Sequence, residues 1–171
     1  MLIPGADIPD GQITSPCMAS TTPQSWSFHG NDYVIASPTA GTNYQSCQQI
    51  VRRVIAAQNV HVPSEIHSRK VAAFSYFYDR ALDNGIIAEG QTEGRATILS
   101  YIDAAKKACA IGTHEETGFQ CLDLTYIVSL LVDGYGLPPT KELHLFKKIN
   151  GHEASWALGV AYSIVEGQWR V

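Results

Sequence analysis

The run Cys121-Leu122-Asp123-Leu124-Thr125-Tyr126-Ile127-Val128-Ser129-Leu130-Leu131-Val132-Asp133-Gly134-Tyr135-Gly136 is apolar on nearly every side of a helix from Leu122 to Val132. A surface helix needs only one apolar stripe, so this one is expected to be buried on most sides. It stops at Asp133-Gly134-Tyr135-Gly136, and Pro138-Pro139 prevents a restart. Downstream, Leu143 and Leu145 alternate against His144 and Lys147, which makes Glu142 to Ile149 a strand. Asn150-Gly151 reads as a turn, and Ala154 to Val165 as a last apolar helix.

Upstream of the quoted run, the polar loop Gly112 to Gln120 leads back to Ala96–Ala110. There Ile98, Leu99, Ile102, Ala105 and Cys109 form one helical stripe. Val71 to Phe74 fits either a short strand or an apolar first turn, and Tyr76 to Leu82 continues as a helix closed by Asn84-Gly85. From Tyr44 to Gln58 the positions Cys47, Ile50, Val51, Val54 and Ile55 recur at helical spacing. Ser25 to His29 and Tyr33 to Ala36 alternate around Gly30-Asn31-Asp32, the pattern of a β-hairpin. Residues 1–24 show no period and read as a loop. The order is hairpin, three or four helices, strand, helix, which predicts an α/β layering.

A chain of 171 residues makes one domain or two very small ones. Charged residues are 16% of it, against about a quarter in ordinary globular domains. Some apolar face is therefore expected to meet a partner or another part of the protein. Twelve Lys and Arg against 16 Asp and Glu leave a net charge of −4, which excludes a general nucleic-acid binder because phosphate backbones need a basic face. The composition also excludes disorder and fibrous architecture. No apolar run approaches the roughly 18 to 20 residues of a bilayer span. Met1 to Asp7 lacks the basic flank and apolar block of a secretory signal.

Cys17, Cys47, Cys109 and Cys121 include no C-x-x-C and no zinc-finger pairing with histidines. Four separate buried thiols and three disulfide connectivities are all open; sequence proximity favours Cys17 with Cys47 and Cys109 with Cys121. Disulfides would place the chain in an oxidising compartment, at odds with a start that carries no signal. That conflict leads to the expectation of a fragment.

The chain has no Walker A motif, no H-E-x-x-H and no G-x-S-x-G. His114-Glu115-Glu116 reads as solvated surface, and His29, His61, His67, His144 and His152 are scattered. Gly134 and Gly136 follow a helix, whereas a phosphate cradle precedes one, so they read as caps. No catalytic residue and no metal ligand is assigned. The aromatics say more. Phe74, Tyr76, Phe77 and Tyr78 fall within five residues, too close together to share one helical face. Either they are core with Tyr76 left outside, or one ring is a stacking surface for a planar ligand. Tyr135 sits between two glycines, where backbone freedom can present a ring to a cleft.

Phe74-Ser75-Tyr76-Phe77-Tyr78-Asp79-Arg80-Ala81 resembles the F-S-Y-Y-Y-D-R-A segment of secretory nucleoside diphosphatases. Cys121 to Ile127 with Leu130 to Gly136 resembles their C-x-D-L-x-Y-I and LL-x-D-G-[FY]-G stretch. Lys147-Lys148-Ile149-Asn150 and Glu153-Ala154-Ser155-Trp156-Ala157-Leu158-Gly159 match the last apyrase motif. The four cysteines stand where that family places two bridges. Residues 15 to 165 thus resemble the apyrase-type nucleoside tri- and diphosphatases, and are most similar to the soluble diphosphatases and their plant-apyrase relatives.

The resemblance implies an α/β fold forming part of an actin-like (ribonuclease H-like) lobe. Residues 1–149 would be most of the second lobe, and residues 150–171 the last motif with a helix that packs on a missing first lobe. It implies release of the terminal phosphate from nucleoside di- or triphosphates with Ca²⁺ or Mg²⁺, in a secretory lumen (endoplasmic reticulum or Golgi) or outside the cell. The family's general base, glycine-rich phosphate loops and metal ligands belong to four motifs absent here, so inactivity alone is expected. Nucleotide-binding roles fall by resemblance to Tyr135 and to a ring of Phe74–Tyr78, facing each other across the base. Tyr78 is the first choice with Phe77 beside it, and Trp156 supports the cleft from the other side. The alternative is a stand-alone, non-catalytic nucleotide- or partner-binding protein.

Overall fold

A computed structural model describes residues 12–20, 22–38, 43–110, 118–149 and 151–153. The architecture is α/β, in keeping with part of an actin-like lobe. It divides into two units, residues 1–61 with 102–136 and residues 62–101 with 137–171.

The first unit opens with strands β1 (Gln12–Thr14), β2 (Gln24–Phe28) and β3 (Asn31–Ala36). They form a sheet in the order β1-β3-β2, with β1 parallel and β2 antiparallel to β3. The hairpin is tighter than its sequence suggests. His29 and Gly30 both take positive φ, 50° and 76°, as a two-residue turn that follows the strand twist requires. Asn31 and Asp32 thereby join the strand. Strand β1 falls in the stretch read as a loop; its three residues are too few to show a period, and it is defined by pairing with β3.

Asn43 caps helix α1 (Tyr44–Ala57), its side chain accepting from the Ser46 N–H at 2.8 Å. Cys47, Val51 and Ile55, spaced by four, are its buried line. Helix α4 (Gln120–Ser129) buries Cys121, Leu124, Thr125, Ile127, Val128 and Ser129, burial on most sides as its composition demands, with Tyr126 left exposed. Disulfides join Cys17 to Cys47 and Cys109 to Cys121, with Cα separations of 4.7 and 4.6 Å. All four half-cystines lie in one cluster with Ala19, Val51 and Ile55, so the bridges are part of the hydrophobic core.

The second unit holds β4 (Val71–Phe74), helix α2 (Tyr76–Asp83), β5 (Glu93–Thr97), the start of α3 (Ile98–Ala108) and β6 (Glu142–Phe146). The sheet order is β4-β6-β5, with β6 parallel to β4 and antiparallel to β5. Ala73, Ala96, Leu143 and Leu145 are its buried face. Ala96 and Thr97, the first residues of the helix expected over Ala96–Ala110, belong instead to β5. Its Glu-Gly-Arg beginning shows no strand pattern, because an edge strand can be specified by its partner. Gly94 has a steric role there: a Cβ would lie 2.6 Å from Ile87 Cγ2. The expected strand to Ile149 is broken at Lys147, whose N–H turns to the Thr92 carbonyl at 2.8 Å. Short β7 (Lys148–Ile149) then pairs with β8 (His152–Glu153). No helix among the described residues is long and apolar enough to cross a membrane.

Tyr101 is fully buried, and its hydroxyl donates to the Phe77 carbonyl at 2.7 Å. Burial pushes its phenol above the ordinary 10.0. The unfolded chain therefore releases this proton first, and the associated stability is complete below pH 10 and declines above it. Tyr101→Phe is expected to cost about 1 kcal/mol at neutral pH, by orphaning the Phe77 carbonyl, and to flatten the alkaline limb of a pH-dependent denaturation series. Replacing Cys109 and Cys121 by Ala should remove about 3 kcal/mol, read as a lowered urea midpoint.

Candidate functional site

At Ser129 helix α4 widens into a π-helical turn, Leu130–Gly134, closed by the Tyr135 N–H donating to the Leu130 carbonyl at 2.9 Å. π-turns of this kind rotate the residues after them about the helix axis, and they recur at functional sites. Tyr135 stands four residues after buried Leu131 and seven after buried Val128, so an unbroken helix would carry it on the buried line. After the widened turn it is half-buried. Gly136 comes next at φ 68°, in the left-handed region that ends helices. Beside the turn, Arg52 Nε donates to Asp133 Oδ2 at 3.0 Å. Tyr44, on the same side of α1, has its phenol pushed upward, chiefly by burial.

In the second unit, β4 passes to α2 through Ser75, at φ 54° and ψ −123°, a strained backbone for a residue with a Cβ. The aromatic segment divides as helical spacing requires. Tyr78 is 2% exposed and its hydroxyl donates to the Gln91 carbonyl. Phe74 and Phe77 are half-buried. Tyr76 is 38% exposed, with the Arg80 guanidinium 5.4 Å from its ring centre. Tyr78, first in line for stacking by sequence, is therefore a core ring here, because both its faces and its hydroxyl are engaged inside. Tyr76, Phe77 and Phe74 keep accessible surface in this segment.

Trp156, the helix expected over Ala154 to Val165 and His114-Glu115-Glu116 all lie outside the described residues. His144 Nε2 is 3.2 Å from Glu142 Oε1, and Arg95 also reaches that carboxylate at 3.6 Å. Among the described residues no three His, Cys, Asp or Glu side chains converge as a metal-ligand set. Two features escaped sequence reading. The Arg52–Asp133 pair spans 81 positions, and the strain at Ser75 has no glycine to mark it.

Residues 6–168 match the model of the GDA1/CD39 (nucleoside phosphatase) family. Ectonucleoside triphosphate diphosphohydrolase 5 of Gallus gallus is 32% identical over 167 residues, covering 94% of this chain and 38% of that protein. Nucleoside diphosphate phosphatase ENTPD5 of Homo sapiens is 32% identical over 155 residues, covering 89% of this chain and 36% of that protein. Nucleoside-diphosphatase uda-1 of Caenorhabditis elegans is 36% identical over 128 residues, covering 71% and 26%. The chain thus spans little more than a third, or less, of the length of these relatives. With the family model covering nearly the whole chain, the chain belongs to the GDA1/CD39 nucleoside phosphatase family.

Proposed function

We propose that this chain supplies the nucleobase-binding side of an enzyme that releases the terminal phosphate of nucleoside di- or triphosphates. The half-buried ring of Tyr135, carried on a widened helical turn between two glycines, supports this reading best. Stacking holds any base by its face, without hydrogen-bond readout, and so tolerates several bases. Phe77 is the second nucleotide-binding ring, since it keeps open surface where Tyr78 does not; Trp156 takes its role by resemblance alone.

Phosphoryl transfer relies on positioning and on stabilising charge around the transferred group. The sequence of this chain contains neither the phosphate loops nor the general base of the family. Those groups, and the Ca²⁺ or Mg²⁺ that would neutralise phosphate charge, are assigned to a first lobe outside this sequence. Two core disulfides fit an oxidising location, either a secretory lumen or the cell exterior.

Purified residues 1–171 are expected to release no phosphate from UDP, GDP or ATP with either cation. Metal-dependent release that is lost on substituting a residue of this chain would overturn that expectation. In an active enzyme containing these residues, Tyr135→Ala should weaken nucleotide binding by about 1 to 3 kcal/mol, raising KM more than it lowers kcat. An unchanged KM would remove the stacking role.

A further inference from the structure

We infer that Arg52 is a positioning residue for the Tyr135 ring, acting through Asp133; the inference rests on the stacking role proposed for Tyr135. The Tyr135 N–H, donating to the Leu130 carbonyl, closes the end of the π-helical turn. π-turns are rare single-turn departures from the helix, and contacts from neighbouring elements help to fix the direction in which Tyr135 leaves this one. Helix α1 provides two, at adjacent residues. Gly134 lies against the end of α1: a Cβ there would sit 3.2 Å from Ile55 Cγ2 and 3.5 Å from Val60 Cγ2. One residue earlier, Asp133 takes the Arg52 Nε–H at 3.0 Å. Arg52 and Ile55 are three apart on α1 and so share a face. The backbone at 133 and 134 is therefore gripped from one side at two points, immediately before the functional ring.

Packing at Gly134 limits how closely the turn approaches α1 but leaves it free to rotate about that contact. The ion pair opposes that rotation by holding the Asp133 carboxylate from α1 through the Arg52 Nε–H. Stability alone gives little reason for the pair: Arg52 is 51% exposed and Asp133 25%, and surface pairs of this kind contribute little to folding. Tyr44 and Gln48 stand two turns and one turn before Arg52 on the same face of α1, and both lie in the same electrostatic neighbourhood. The Arg52 side chain thus extends from a polar stripe toward the turn.

The test is a titration of the full natural polypeptide with UDP and GDP, reading dissociation constants and melting temperatures. Arg52→Ala and Asp133→Ala should each weaken nucleotide affinity by about two- to fivefold, with melting temperatures close to the parent. Together they should do no more than either alone. The exchanged pair, Arg52→Asp with Asp133→Arg, should return affinity to within about twofold of the parent. Affinity unchanged in the single variants while Tyr135→Ala weakens it would overturn the role of Arg52 and leave the stacking role standing. Lowered melting with unaltered affinity would make the pair purely structural and likewise overturn the inference. No effect of Tyr135→Ala, or no nucleotide binding by the parent, would remove the stacking role and this inference with it.

Discussion

Helix α4 gives water only a narrow side, around Tyr126, and the first unit is arranged around that constraint. Six of its ten residues are buried, so neighbours must cover it on most sides. Helix α1 lines one side with Cys47, Val51 and Ile55, and the two disulfides tie the remaining chain to the same cluster. The Cys109 Sγ and the Thr125 hydroxyl lie 3.7 Å apart, which lets a polar group of α4 stay inside. A helix held so firmly at its start can transmit a definite direction to its end. The widened turn at Leu130–Gly134 uses that direction to bring Tyr135 off the buried line.

In the second unit the corresponding constraint is strand β6, which pairs on both edges and carries Leu143 and Leu145 into the core. Two buried phenols complete that core. Tyr78 and Tyr101 each give their hydroxyl to a main-chain carbonyl, of Gln91 and Phe77. Buried polar groups left without partners are costly, so these bonds fix where both rings sit. They also set which ring of the Phe74–Tyr78 segment lies wholly inside. Tyr78 stabilises the unit, while Phe74, Tyr76 and Phe77 keep some surface.

Long apolar periods were legible in the sequence. Helices α1, α2 and α4 and the β2–β3 hairpin lie close to where spacing puts them, and both disulfides join the cysteines nearest in sequence. What spacing could not show depends on partners. Strands β1 and β5 are short edge strands whose extended form comes from pairing with β3 and β6. Ala96, a residue that fits the start of a helix as well as a strand face, is placed in a strand by its register opposite Leu143. At the site, glycines at 134 and 136 marked Tyr135. Nothing marked Arg52 as the partner of Asp133, or told Tyr78 from Phe77, because both depend on tertiary packing.

The role proposed for this chain turns on one contact, the Tyr135 ring against a nucleobase. Nuclear magnetic resonance of the protein with its tyrosines isotopically labelled, titrated with UDP and then GDP, tests it directly. Stacking predicts that the Tyr135 ring protons move with ring-current shifts for both nucleotides and show magnetisation transfer to base protons. Saturating nucleotide that leaves the Tyr135 ring resonances unmoved, while other residues respond, would contradict it.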